Sequence, residues 1–91
     1  MQDKVAQTIA QVDLSDLKVP MISVYGPNQI EYPGKYVARI CDLEKITNTV
    51  IIKDSYEELQ QDIINNRPYQ IIGHFIDRNM FDNPALIGTW V

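Results

Sequence analysis

The sequence predicts an α+β domain of two layers, with about five strands in a mixed or mostly antiparallel sheet, one main helix (residues 56–66) and a short N-terminal helix. Three observations carry that expectation. Runs rich in Val, Ile, Thr and Tyr are bounded by Pro, Gly and Asn. One capping box opens the only long stretch of helical periodicity. No linker, repeat or low-complexity tract divides the 91 residues, so residues 1–91 read as a single domain.

Val5, Ile9 and Val12 recur at spacings of four and three, which predicts an amphipathic helix from Asp3 to about Val12. Asp13-Leu14-Ser15-Asp16-Leu17-Lys18 follows as a polar turn whose leucines can tuck beneath the body. Met21 to Tyr25 is β-branched and aromatic and stops at Gly26-Pro27-Asn28, so it is the first strand. In Tyr32-Pro33-Gly34-Lys35, proline presets φ near about −65° and glycine accepts the positive φ of a type II turn. Tyr36 to Asp42 is the second strand, with Tyr36, Ala38 and Ile40 on one face and Val37, Arg39 and Cys41 on the other. After Glu44-Lys45, Thr47 to Lys53 forms a third strand antiparallel to the second, dividing Val50 and Ile52 from Thr49, Ile51 and Lys53.

Ser55-Tyr56-Glu57-Glu58 has the form of a capping box, so the main helix begins at Tyr56. Tyr56, Leu59 and Ile63 make its buried stripe, leaving Glu57, Glu58, Gln61, Asp62 and Asn65 outside. Asn65-Asn66-Arg67-Pro68 ends it, because proline cannot continue a helix. Tyr69 to Ile76 and Ala85 to Val91 are the fourth and fifth strands. In the fourth, Ile71 and Phe75 oppose Ile72 and Ile76; in the fifth, Ile87 and Val91 oppose Leu86 and Trp90. Both faces of the sheet are then apolar. One long helix and one short one cover too little of them, so a second copy is expected to cover the remainder or extend an edge strand, giving a homodimer. The alternative is that the N-terminal segment wraps the second face.

Eight Lys and Arg against twelve Asp and Glu leave a net charge of −4, which repels phosphate backbones and anionic lipid. That argues against nucleic acid as a partner, and no apolar run reaches the ~18 residues of a membrane span. Asp54, Glu57, Glu58 and Asp62 concentrate the acid in a stretch without a cation between Lys53 and Arg67. Such a patch is a candidate dock for a basic protein; a solvated helix face suited to the helix dipole is the plainer account. Cys41 is the only cysteine, so an intramolecular disulfide is impossible. A structural zinc site, which needs about four Cys or His ligands, is equally unexpected. The first residues carry no apolar leader, and a reducing cytoplasm is the expected compartment.

Tyr25, Tyr32 and Tyr36 bracket a loop holding Gly26, Pro27, Pro33 and Gly34. Rigid amphipathic rings on a constrained loop suit recognition, so these tyrosines join Glu57, Glu58 and Asp62 as candidate partner contacts; completing a small core is the competing role. Arg39 either pairs with Asp42 or Glu31 or meets an anionic ligand, and with His74 it is the candidate for small-ligand binding. His74, flanked at two residues by Ile72 and Ile76, reads as a packed imidazole; an enzyme would need it beside Cys41 or Asp77. Asp77 to Asn83 offers oxygen side chains to a hard cation, but Phe81 and Asp82 break the EF-hand pattern and an Asx-rich turn explains them. The glycines are too scattered for a phosphate loop, and no serine sits in a nucleophile elbow. A small, non-enzymatic interaction or accessory protein without metal or cofactor is therefore expected, with a small-ligand module as the alternative.

Overall fold

Alternating runs joined by the loop from 26 to 35 and by a short turn at Leu43 build an antiparallel meander at the centre of the sheet. In the computed structural model, which describes residues 3–43, 45–79 and 83–91, this meander comprises β2 (Pro20–Tyr25), β3 (Tyr36–Asp42) and β4 (Lys45–Lys53). Gly34, at φ 82°, and a 3.1 Å bond from the Lys35 N–H to the Tyr32 carbonyl form the turn expected there. Around the meander lie β1 (Lys4–Ala6), β5 (Phe75–Asp77) and β6 (Leu86–Trp90), and α1 (Tyr56–Asn65) links β4 to β5. The spatial order is β1-β4-β3-β2-β6-β5. Among the described residues only β1 and β4 pair in parallel, so the sheet is mixed, with six strands where about five are expected.

Cross-strand partners share a face. Ile22 opposite Ile40, Val24 opposite Ala38, Ala38 opposite Ile51 and Ile22 opposite Trp90 therefore make one continuous apolar side. Leu59 and Ile63 of α1 bury against it, together with Ile9, Leu14 and Ile71. Each fully buried leucine or isoleucine contributes about 1.5 to 3 kcal/mol from desolvation. The helix starts where expected: Ser55 Oγ accepts from the Glu58 N–H at 3.1 Å and donates to the Glu58 carboxylate at 3.3 Å. Trp90, the last core side chain, closes the layer by donating from Nε1 to Gln60 Oε1 at 2.9 Å. No helix among the described residues is long and apolar enough to cross a membrane.

Four expectations are corrected. The N-terminal helix does not form: Lys4–Ala6 is a strand, followed by a 3₁₀ turn over Ile9–Gln11 capped by Thr8. Val5 is 54% exposed and Ile9 is 1% exposed, so they do not share one buried stripe. Second, the fourth strand covers only Phe75–Asp77. The preceding segment is irregular, with Gly73 at φ 106° and the Arg67 guanidinium bonded to the carbonyls of Ile71 and Ile72. Third, a register shift between Val24 and Tyr25 puts Ile87 against the core that holds Trp90, not on the face opposite. Fourth, the N-terminal arm does not wrap the second face by itself: Ile9 and Leu14 join α1 on the Trp90 side, while Asp3 reaches Arg39 on the second face beside the loop from 26 to 35.

Candidate functional site on the second sheet face

Alternation along β3 sends Val37, Arg39 and Cys41 to the face away from α1, and all three are buried. A buried guanidinium must be satisfied, and Arg39 is. Its Nη1 donates to Asp3 Oδ1 at 2.9 Å and to the Thr47 carbonyl at 3.1 Å; its Nη2 donates to Asp3 Oδ2 at 3.1 Å and to Glu31 at 3.2 and 3.3 Å. The Thr47 carbonyl is reachable because β4 bulges between the partners of Arg39 and Cys41. Thr47 holds that bulge by donating from Oγ1 to the Ile40 carbonyl at 2.7 Å.

Of the two acids expected to pair with Arg39, Glu31 does so, while Asp42 accepts from the Val19 N–H at 2.7 Å. Asp3 is the stronger partner, and it also accepts from the Tyr32 hydroxyl at 2.7 Å. The hydrogen bond from Arg39, and after it that from Tyr32, holds the Asp3 carboxyl down to about 2. The same contacts push Arg39 and the Tyr32 phenol upward, each chiefly through its bond to Asp3. Burial pushes the Tyr25 phenol up.

Tyr25, Gln29, Glu31, Tyr32, Val37, Arg39 and Ile46 enclose a pocket of about 120 Å³. A broader groove of about 370 Å³ adjoins it, lined by Met21, Ser23, Tyr25, Cys41, Leu43, Lys45, Ile46, Ile76, Thr89 and Val91. Tyr25 and Ile46 line both. The loop tyrosines thus divide. Tyr25 and Tyr32 converge on Arg39, whereas Tyr36 packs against the core on the helix side, its ring 6.1 Å from that of Tyr56.

The acidic helix is largely engaged. Asp62 accepts from the Thr8 hydroxyl and, at 2.8 Å, from the Ile9 N–H, so it anchors the N-terminal arm instead of standing in solvent. Glu58 serves the helix cap, Asp54 pairs with Lys35, and Glu57 is exposed in the first turn. His74 is exposed, which corrects the packed imidazole expected of it. Its main chain bonds Val91 at 3.2 and 2.9 Å, and its side chain lines neither the pocket nor the groove. Cys41 is buried, with Ser23 Oγ 3.4 Å from its sulfur. Among the described residues no three His, Cys, Asp or Glu side chains gather to hold a metal. Residues 80–82 of the Asp77 to Asn83 connection lie outside the described residues.

Sequence reasoning missed Asp3, Gln29 and Ile46. Periodicity places Asp3 in a helix and starts the third strand after Ile46, so neither stands out as a site residue. Gln29 brackets Tyr32, accepting from its N–H at 2.8 Å, a role that spacing alone does not announce. No protein-family model, curated protein or solved structure matches the chain.

Proposed function

We propose that the chain is a small non-enzymatic interaction module that self-associates face to face across the open side of its sheet. The observation that carries this reading is the groove beside Cys41. Its rim exposes Leu43, Ile46 and Ile76 at 62, 66 and 56%. Lys45 is its one charged lining residue among the described residues.

Two further observations favour a second copy over other occupants. Both edge strands, β1 and β5, have only three residues, so edge-to-edge strand addition offers few hydrogen bonds and stacking of faces offers more. The acids of α1 lie on the opposite layer, so two copies, each at −4, meet with those charges turned outward. Sedimentation velocity at tens of micromolar tests the proposal. A species of twice the 10.5 kDa chain mass is expected, shifting to the single mass in Ile76→Glu with the fold retained. A wild-type protein that sediments as a monomer overturns it.

A further inference from the structure

We propose that the Arg39 pocket binds a small organic cation, an ammonium or quaternary ammonium head on a short apolar stem. This goes beyond self-association and rests on the pocket, not on the groove. Its size comes first: about 120 Å³ approaches the ~150 Å³ of an apolar cavity that takes benzene, so the occupant has roughly six heavy atoms. The walls supply Tyr25, Tyr32, Val37 and Ile46, two aromatic rings and two branched aliphatic chains.

Charge decides the sign of the ligand. Both terminal nitrogens of Arg39 are engaged by Asp3, Glu31 and the Thr47 carbonyl, so the guanidinium is committed within the chain rather than offered to an anion. Two carboxylates against one guanidinium leave a formal charge of −1 on Asp3, Glu31 and Arg39 together. The Asp3 side chain is 13% exposed and locked, whereas the Glu31 side chain is 64% exposed and meets Arg39 only at 3.2 to 3.3 Å. Glu31 therefore keeps acceptor capacity for an occupant of the pocket it lines. A cation entering there gains a carboxylate and aromatic walls together, the pairing by which quaternary ammonium groups are recognised. An anion meets net negative charge, and a neutral molecule of the same shape gains only burial.

The pocket is also set before any ligand arrives. Gln29 clamps the Tyr32 main chain from both sides, accepting from its N–H at 2.8 Å and donating to its carbonyl, and the Tyr32 hydroxyl is fixed on Asp3. Little ordering is left to oppose binding.

The test titrates choline chloride, and separately its neutral isostere 3,3-dimethyl-1-butanol, into ¹⁵N-labelled protein. Amide shifts of Tyr32 and Val37 and the side-chain amide of Gln29 report the pocket. Running wild type and Ile76→Glu, which lies outside the pocket, gives the result for either oligomeric state, so failure of self-association and failure of cation binding are told apart. Saturable shifts are expected with choline, at an affinity at least about fivefold above the neutral alcohol. Glu31→Gln should remove that preference while leaving the alcohol unchanged. If Glu31→Gln fails to fold, Tyr25→Leu must weaken choline by a similar factor. Equal binding of the two probes, the absence of saturable shifts with choline, or an unchanged preference in the variant used overturns the proposal.

Discussion

Arg39 and Asp3, 36 residues apart in the chain, meet through two hydrogen bonds of 2.9 and 3.1 Å, one from each terminal nitrogen of the guanidinium. This pairing joins the start of the described chain to the central strand. Through the Tyr32 hydroxyl it reaches the loop that partly roofs the second face. It makes a three-way clasp of the residue just before β1, β3 and the loop, and the candidate pocket is the space left beside it.

That clasp predicts an acid-sensitive contribution to stability. The Asp3 carboxyl is held at about 2 against an ordinary 3.8. A depressed carboxylate contributes stability that is fully present above its unfolded value and is lost as pH falls from about 4 toward 2. With screening allowed for, its size is about 1 to 2 kcal/mol. Asp3→Asn should therefore be less stable than wild type by that amount at pH 7, with the gap closing by pH 2. Urea unfolding followed by Trp90 fluorescence at both pH values measures it. A gap that stays constant would mean that Asp3 acts through shape and neutral hydrogen bonds alone.

Gly88 predicts a steric cost on the far side of the sheet. A Cβ there would stand 2.5 Å from the Phe75 ring and 2.7 Å from the Ile76 carbonyl. The ring cannot retreat freely, because its centroid lies 5.1 Å from that of Trp90, and the carbonyl is main chain of the paired strand. Gly88→Ala should destabilise by about 2 to 3 kcal/mol, as overpacking in a filled site does. It should also raise amide exchange across Phe75–Asp77. An unchanged urea midpoint would show that β5 shifts aside without loss.

The meander and main helix were legible because their signals are local. Val, Ile and Thr alternation, the Pro33-Gly34 turn and the Ser55 to Glu58 box each act within a few residues. The N-terminal strand was not, since Val5, Ile9 and Val12 fit a helical stripe equally well. What decides for strand is the free edge of β4, a partner that only the folded sheet provides. The segment before Phe75 failed for a similar reason: the Arg67 side chain takes the Ile71 and Ile72 carbonyls that a longer strand would have used. Within the site, Glu31 was readable as a partner for Arg39 and Asp3 was not, its ion pair being set by tertiary packing. Tyr36 was separable in principle. It stands three residues before Arg39 on one strand, an odd step that alternation sends to the other face.

Leu43 links stability and association in opposite senses. It occupies the turn between β3 and β4 at φ 51°, a region where a branched side chain costs about 1 kcal/mol and asparagine is tolerated. The side chain is 62% exposed and lines the groove, so it gains little burial within one chain. Leu43→Asn should therefore raise the stability of the dilute protein by about 0.5 to 1 kcal/mol. If two copies close over the groove, the same change should weaken their association, because it removes an apolar group from the rim. Urea midpoints at low concentration and sedimentation at high concentration separate the two effects. A dilute variant less stable than wild type would mean that Leu43 already packs within its own chain. It would then contribute to the fold and not to the contact between copies.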